Sequence, residues 1–293
     1  MSERLQRLLA RRLQSEAVVV ATVLSTRGAT PRKRGTRMLV TATDTEATIG
    51  GGELEARVIA AARELLARGG LGAELPIALD GQPGAAGVCG GSMRIALRRW
   101  QGAVDHARAQ AIAAALEAGE PVTLDAADLG AEDASETLHP DIRLLIVGGG
   151  HCAAALHELA RHLDFELWAY AREAGELPPE RFAAATRLAG EPARLTLALD
   201  TPRTVYAVLL NRDYAADVAA LEVLCRQPPA FLGMMGSRRR IAAVRAALPA
   251  HAQALESLQA PVGLGIDAQS PHEIAVSVLA QLVARRRGAH GGR

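Results

Sequence analysis

The apolar positions of the chain follow two different patterns on either side of a polar segment. Up to residue 124, short apolar runs alternate irregularly with helical periods, which is typical of a mixed α+β domain. From Arg143 onward, strands and helices alternate regularly, which predicts a doubly wound parallel sheet. The segment between them is acidic and poor in large apolar residues, so we predict a linker or an exposed edge. The predicted domains are residues 1–125 and 142–293, joined by the linker 126–141.

Local patterns give the predicted elements of each half. In the first half these are helix 3–15, strands 17–25, 38–40 and 46–49, helix 54–66, strands 75–79 and 92–97, helix 104–118 and strand 121–124. In the second half they are strand 143–147, helix 151–163, strand 165–170, strand 204–210, helix 213–225, strand 231–235, helix 239–248 and strand 261–266. The last helix is the best marked, because Ser270, Pro271 and Glu273 form an N-cap, a first-turn proline and a capping box.

A glycine turn joins the first strand and helix of the second half, in RLLIVGGGHCAAAL. Gly148, Gly150 and Ala153 fit the G-x-G-x-x-G/A pattern of a Rossmann-like domain. Glycine permits a positive φ and a close approach of a ligand, and the helix start attracts a phosphate. We therefore predict a phosphate-bearing ligand, with a tight turn that binds nothing as the alternative. His151 follows the glycines, where it contacts the phosphate or is a partly exposed surface residue.

The end of the second predicted strand indicates which nucleotide such a domain would accept. NAD-binding domains have an Asp or Glu there for the ribose, but this chain has Tyr170, Ala171 and Arg172. Arg172 suits a 2′-phosphate, so an NADP-dependent oxidoreductase is the enzyme alternative. A further alternative is a dimerisation scaffold with an empty pocket. The sequence has no HExxH motif, no GxSxG motif and no paired histidines, so the usual hydrolase and zinc sites have no support.

Composition excludes several classes of partner. With 33 basic and 32 acidic residues the net charge is +1, which gives no reason to expect a nucleic-acid or membrane partner. No apolar run approaches the ~20 residues that cross a bilayer. The N-terminus is typical of an amphipathic charged helix and not of a signal peptide, so we expect a cytoplasmic location.

Basic clusters and cysteines supply further candidate chemistry. Two basic clusters, within residues 27–37 and 238–240, lie beside glycine-rich turns, so anion binding competes with a solvated surface. The cysteines are far apart, which excludes a disulfide scaffold and a CxxC metal site. Cys89 lies between glycines in GVCGGS, which predicts an open loop. A second glycine turn, at residues 50–52, is followed by Glu53 and Glu55, which argue against a nearby phosphate.

Six segments together resemble the xanthine dehydrogenase accessory proteins of the XdhC/CoxI type. In chain order they are RGATPRKRGTRMLV, IGGGELEARVI, VCGGSM, LLIVGGGHCAAAL, FLGMMGSRRR and PVGLGIDAQSPHEIAVSVLAQLV. Each segment alone is a weak signal, but six in this order are specific. The resemblance implies an N-terminal mixed domain, a C-terminal Rossmann-like domain and a homodimer.

The resemblance also implies a function. Such a protein binds molybdenum cofactor (molybdopterin) as cargo, protects it, assists its sulfuration with a cysteine desulfurase-type sulfurase, and delivers it to xanthine dehydrogenase or a related molybdenum hydroxylase of purine catabolism. It is a chaperone and not an enzyme in its own right, so we expect no catalytic residue and no resident metal. Cys89 is a candidate contact to molybdenum or its sulfur. The expected cofactor contacts are Arg32, Arg37, Gly51, Gly52, Cys89, Gly90, Gly148, Gly150, His151, Gly233, Ser237, Arg238 and Arg240.

The chain departs from the family pattern at several positions. Family members commonly have two aspartates where Tyr170 and Ala171 stand, and some have a cysteine in place of Glu53. The family's T-H-D after the fourth strand is Asn-Arg-Asp at residues 211–213, and an expected glycine is Asp267. A carrier tolerates such losses better than an enzyme.

Overall fold

The structure is a computed structural model that describes residues 2–290 and contains two compact units. The division falls between Pro140 and Asp141. Within the described residues, no helix combines the length and the apolar composition that crossing a membrane requires.

The first unit is built on a five-stranded antiparallel sheet with strand order β3-β2-β1-β5-β4. Its elements are α1 (Ser2–Arg12), β1 (Val18–Arg27), β2 (Arg37–Val40), β3 (Thr45–Glu46), α2 (Gly52–Arg68), β4 (Gly72–Leu79), β5 (Gly91–Trp100), α3 (Gly102–Glu117), β6 (Val122–Leu124), α4 (Ala126–Leu129) and β7 (Glu136–Leu138). Val18 and Val20 of β1 pack in a core with α1 and α3, whereas Val19 and Ala21 pack in a core with α2. Helices therefore cover both faces of the sheet, which explains the unbroken apolar run of β1.

The acidic segment after β6 is folded and differs from the predicted linker 126–141. It contains α4 and β7, and β7 pairs antiparallel with β6. Leu129 and Leu138 are buried in the core of the first unit. Asp125 and Asp128 form a capping box for α4, and Asp128 also pairs with Arg108 at 2.6 Å. The acidic composition reflects these caps and ion pairs, so it was a misleading indication of a linker.

The second unit is a five-stranded parallel sheet with strand order β10-β9-β8-β11-β12. Its elements are β8 (Ile142–Val147), α5 (His151–Ala160), β9 (Phe165–Ala171), β10 (Thr186–Ala189), α6 (Thr196–Leu199), β11 (Val205–Leu209), α7 (Tyr214–Arg226), β12 (Phe231–Met234), α8 (Arg238–Ala247), α9 (Ala252–Glu256) and α10 (Pro271–His290). One face packs against α5 and α10, and the other against α7 and α8. The predicted fold class, a mixed α+β domain followed by a Rossmann-like doubly wound domain, is confirmed.

Two predictions of elements in the second unit are wrong. β10 lies between the predicted strands 165–170 and 204–210, where the sequence pattern predicts no element, and residues 261–266 form no strand. The backbone N–H of Gly263 instead donates to Oε1 of Gln281 at 2.7 Å, and the hydroxyl of Ser277 donates to the carbonyl of Leu264 at 2.6 Å. These bonds attach residues 263 and 264 to α10, while the backbone N–H of Val262 donates to the carbonyl of Met234 in β12 at 3.0 Å without forming a strand.

Candidate functional site

A cavity of about 240 Å³ lies at the carboxyl ends of three parallel strands in the second unit. Gly149 and Gly150 line it after β8, Arg172 after β9, and Asn211 and Arg212 after β11. In the strand order of this sheet the chain builds outward from β8 on one side and then crosses to β11 on the other. Ligands of open α/β sheets bind at such a switch point, so this cavity is the candidate site of the unit.

The three glycines of the turn before α5 have different roles. Gly148 has a φ of +124°, and a Cβ there would lie 2.9 Å from Oδ1 of Asn211. A Cβ on Gly149 would lie 2.4 Å from the carbonyl oxygen of Glu176. Gly150 has open space at its Cβ position and is the N-cap of α5 without a side-chain hydrogen bond. The first two glycines are thus required by packing, and the third leaves the helix start without a side-chain cap, which suits an anion.

His151 is the first residue of α5 and is exposed. It does not line the cavity. His151 is thus a surface residue of this helix start, and its contact to a phosphate stays a prediction.

The second glycine loop contributes to the site indirectly. Gly233 lies inside β12, where a Cβ would be 2.5 Å from Cγ2 of Val262, so it is a packing glycine and its predicted cofactor contact is wrong. Ser237 caps α8, since its hydroxyl accepts the backbone N–H of Arg240 at 3.3 Å. Arg238 is exposed and does not line the cavity.

Arg240 is committed to the protein and is not free for an anion. Its guanidinium donates to the carbonyls of Arg212 and Asp213 at 2.9 Å each and to the carboxylate of Asp217. Asp217 is fully buried and accepts a second bond, from Nδ2 of Asn211 at 3.1 Å. Burial raises the pKa of Asp217, although the bonds from Asn211 and Arg240 oppose that rise. The predicted contact of Arg240 with the cofactor is therefore wrong, and its role is to hold the turn after β11.

Three loops of the first unit lie together at one end of its sheet. These are the basic loop 28–35, the glycine turn 50–52 and the cysteine loop 87–91. A Cβ on Gly91 would lie 2.3 Å from the carbonyl oxygen of Ala29, and one on Gly50 would lie 2.7 Å from Cγ of Pro31. Such close approaches require glycine, so the glycines that suggested ligand binding also allow these loops to pack.

Within these loops, the predicted contacts differ in accessibility. Cys89 is exposed, as the open-loop prediction requires, and the backbone N–H of Gly90 donates to the carbonyl of Leu79 at 2.7 Å. Arg32 is exposed, and its guanidinium donates to the neighbouring carbonyl of Pro31 at 3.3 Å.

The turn before α2 is filled by a carboxylate of the protein itself. Glu55 accepts the backbone N–H groups of Ile49 at 3.1 Å and of Gly51 at 3.0 Å, and also the hydroxyl of Thr48. Burial acts to raise the pKa of Glu55, but these hydrogen bonds outweigh it and lower the pKa below 4.5. The amide of Gly51 is therefore not available to a ligand. Gly52 is the first residue of α2 and directly follows the turn that the Glu55 carboxylate fills.

Arg37 was predicted as an anion contact, and this prediction is wrong. It lies in β2 and is only 4% exposed. Its Nη1 donates to Oε1 of Gln6 at 3.3 Å, and burial lowers its pKa to about 10. The alternation of β2 directs this side chain into the unit, which the local sequence, rich in arginine and glycine, did not indicate.

Sequence reasoning also left one residue of the cavity without a role. Arg212 was noted only as a departure from the family pattern, but it is exposed and lines the cavity opposite Arg172 along the sheet. Its position directly after a buried strand was the available signal. Within residues 2–290, no group of three His, Cys, Asp or Glu side chains is placed to hold a metal ion.

Known proteins match both units. A model of the XdhC and CoxI family matches residues 12–75, and a model of the XdhC Rossmann domain matches residues 144–282. The uncharacterized protein YqeB of Escherichia coli K12 is 34% identical over 155 residues, which are 51% of this chain. The match spans only 28% of the length of that curated relative.

A solved structure has the same fold over nearly the whole chain. It comes from Bacillus halodurans and is described as a xanthine dehydrogenase. The two structures superpose with a TM-score of 0.82 over 98% of this chain and 96% of the other, at 21% sequence identity. The family models match one segment in each unit, in the order that the sequence motifs predicted, and the chain belongs to the XdhC and CoxI family.

Proposed function

We propose that this protein is a maturation factor for xanthine dehydrogenase or a related molybdenum hydroxylase. It binds molybdenum cofactor as cargo, protects it, assists its sulfuration with a cysteine desulfurase-type partner, and delivers it, acting as a homodimer in the cytoplasm. Family membership supports the maturation role. The observation that carries the proposal is the helix start at Gly150, which has no side-chain cap and opens onto a cavity with two arginines.

The phosphate of the pterin binds at the turn before α5. The backbone N–H groups of the first turn of α5 donate to it, and the helix dipole adds to the attraction. Ligand pockets usually occupy roughly 300–1,000 Å³, and this one has about 240 Å³. The cavity therefore encloses the phosphate end of the cargo and leaves its metal-dithiolene end accessible. Such partial enclosure suits a carrier, which must release its cargo.

The three loops of the first unit supply a separate candidate surface. Cys89 and Arg32 are both exposed there. The thiolate is the form of cysteine that interacts with metal-sulfur chemistry. We assign this surface to the partner that supplies the sulfur.

Isolation of the loaded protein tests the proposal. Protein purified anaerobically from molybdenum-replete cells is denatured and oxidised, and the released pterin is measured by its fluorescence. We expect pterin in proportion to protein, and we expect the emptied protein to rebind added cofactor. Protein that releases no pterin and binds no added cofactor overturns the proposal.

A second function is favoured by one observation. Arg172 lines the cavity at the end of β9, where the 2′-phosphate of NADP would bind. An NADP-dependent oxidoreductase predicts saturable binding of NADPH and hydride transfer to an acceptor, whereas the carrier predicts weak or no binding. If the cavity is an empty scaffold, Arg238→Ala and Cys89→Ala leave delivery unchanged and neither ligand binds.

A further inference from the structure

We infer that Arg172 and Arg212 form a second anion subsite in the cavity of the second unit. The ligand then has two anionic groups: a phosphate at the turn before α5, and a second group held between the two guanidinium groups. The inference rests on the proposed function only in assuming that a phosphate binds at that turn. It goes further by assigning two residues and a ligand class to the same cavity.

The charges around the cavity favour a second anion. Arg172 and Arg212 are exposed, and neither guanidinium has a hydrogen-bond or ion-pair partner among residues 2–290. The two acidic residues of the cavity wall do have partners. Asp213 accepts the backbone N–H groups of residues 215 and 216 at 3.1 Å each, and Glu176 accepts that of residue 173 at 3.2 Å. The charged groups of the wall whose hydrogen-bonding capacity is free for a ligand are therefore the two guanidinium groups.

The two arginines reach the cavity from opposite sides of β8. Arg172 follows β9, and Arg212 follows β11, which are the two neighbours of β8 in the sheet. The turn before α5 follows β8 itself. A ligand whose phosphate lies at that turn therefore has one guanidinium on each side, which is the arrangement that binds a second anionic group.

The turn that carries Arg212 is held in place before any ligand arrives. Arg240 of α8 donates to the carbonyls of Arg212 and Asp213, both at 2.9 Å, and to the buried carboxylate of Asp217. Arg240 is thus a positioning residue, since it contacts the turn and does not line the cavity. Fixing a binding group in advance reduces the entropy lost on binding. The turn that carries Arg212 is therefore formed before a ligand binds.

Two kinds of ligand share the required chemistry. One is the pterin cofactor, with a phosphate at one end and an anionic metal-dithiolene at the other. The other is a nucleotide with a second phosphate on its ribose. The cavity of about 240 Å³ is too small for a whole dinucleotide, so in the second case it would enclose only the bisphosphate half.

Calorimetric titration with two nucleotides tests the subsite without the cofactor. Adenosine 2′,5′-bisphosphate carries two phosphates, and adenosine 5′-monophosphate carries one. We expect the bisphosphate to bind at least about tenfold more tightly to the wild type, since a hydrogen bond to a charged group contributes roughly 1.5–3 kcal/mol. Arg172→Gln and Arg212→Gln each remove this advantage and leave monophosphate binding within about twofold. Arg239→Gln, an equal charge change on an exposed residue outside the cavity, alters neither titration.

If the wild type binds the two nucleotides with equal affinity, or if all three variants lose affinity equally, the subsite does not bind the second phosphate of a nucleotide. A parallel titration with the pterin cofactor separates this result from the proposed function. If the bisphosphate shows the expected pattern and the cofactor does not bind, the subsite stands and the proposed function fails. If the cofactor binds equally to wild type, Arg172→Gln and Arg212→Gln, the proposed function stands and the subsite fails for this cargo. If only cofactor binding falls in these two variants, the subsite stands with the cofactor as its ligand.

Arg240→Lys tests the positioning role. Lysine retains the charge beside Asp217 but cannot reproduce the planar set of bonds to two carbonyls. We expect the bisphosphate affinity to fall severalfold while monophosphate affinity and the thermal midpoint remain close to wild type. A variant that weakens both nucleotides equally, or neither, contradicts this role.

Discussion

The carboxylate of Glu55 accepts the backbone N–H of Gly51 at 3.0 Å, at the start of α2. It thereby occupies the position that an external anion would take at that helix. The turn before α5 has the same run of three glycines, but among the described residues no carboxylate is bonded to its amides. Of these two glycine turns, only the second is open to a ligand, and the difference arises from one residue in the first turn of each helix.

Removing the charge of Glu55 should destabilise the first unit. Glu55→Gln keeps the size but weakens the bonds to Ile49, Gly51 and Thr48, so we expect a loss of about 1–2 kcal/mol in the free energy of unfolding. Glu53→Gln is the control, because its pair with Arg57 is exposed and contributes about 0–1 kcal/mol. Urea unfolding measures both, and equal losses in the two variants contradict this account.

The same carboxylate predicts a pH dependence. The pKa of Glu55 is lower in the folded protein than its ordinary value of 4.5. Its contribution to stability is therefore complete above pH 4.5 and is lost as the pH falls through the folded pKa. Wild type should lose its stability advantage over Glu55→Gln in that acidic range, as followed by urea unfolding at pH 7 and at pH 3.5.

Gly150→Asp should close the candidate site and preserve the fold. Gly150 has φ −74° and ψ −177°, with open space at its Cβ position, so aspartate fits and caps α5 with its own carboxylate. We expect unchanged or slightly higher thermal stability, together with at least a tenfold loss of affinity for a phosphate ligand. Gly150→Ala is the matched control and retains binding. Equal binding by both variants shows that the phosphate lies elsewhere.

Burial of His157 should make the second unit sensitive to mild acid. It is 1% exposed, and burial lowers its pKa below 6.5, with Arg161 acting in the same direction and Glu158 opposing it. Its contribution to stability is complete above pH 6.5 and is lost as the pH falls toward the folded pKa, by at most about 1.4 kcal/mol per pH unit.

His157→Leu should therefore reduce the difference between urea midpoints at pH 7.5 and pH 5.5. The exposed His162 provides the control variant, His162→Gln, which should keep the wild-type difference. If His157→Leu also keeps that difference, His157 is not the group that titrates.

Arg37→Met should fold well and leave cargo binding intact. Among the described residues, the buried guanidinium is hydrogen-bonded to Gln6 alone. Apolar residues of similar volume often replace buried charges without loss of stability. We expect a change of at most about 1 kcal/mol for methionine, against a loss of about 2–4 kcal/mol for Arg37→Ala, which leaves a cavity. A selective loss of anion binding in Arg37→Met would restore it as a ligand contact.

Glu166→Gln should strongly destabilise the second unit. Glu166 pairs with Arg143 at 2.8 Å and Arg203 at 3.2 Å, and these arginine side chains are only 9% and 3% exposed. Removing the negative charge takes away the ion pair that Glu166 makes with each of these two buried arginines, so we expect a loss of about 3 kcal/mol or more. Glu158→Gln, which breaks an exposed pair with His272, should change stability by about 0–1 kcal/mol. Similar thermal midpoints for the two variants contradict this difference.

Most of the second unit could be predicted because its signals are local. A strand buried on both faces gives a continuous apolar run, and the capping box at Ser270 marks the start of α10. Residues 261–266 also form an apolar run, but Gly263 and Leu264 are bonded to Gln281 and Ser277 of α10. The local pattern contains no information about such partners, so it predicted a strand.

The candidate site could also be predicted only where its signals are local in the sequence. The turn before α5 was identified because its glycines and its helix are adjacent in sequence. Arg37 and Arg240 were assigned to the ligand because they lie near glycines, but their partners lie on other elements. Gly233 was also assigned to the ligand from its local sequence, but the side chain of Val262, from another part of the chain, leaves no room for a Cβ there. Burial of a long polar side chain is decided by remote residues, and one sequence does not reveal them.

The occupied turn of the first unit offers a rule for comparing relatives. Glu55 is the fourth residue after Gly51, and the corresponding position after Gly150 is Ala154. A homologue with glutamate at the position of Ala154 would place its own carboxylate at the start of α5. Such a homologue would be expected to have lost its cargo. The residue at this one position therefore distinguishes family members that bind the cargo from members that retain only the fold.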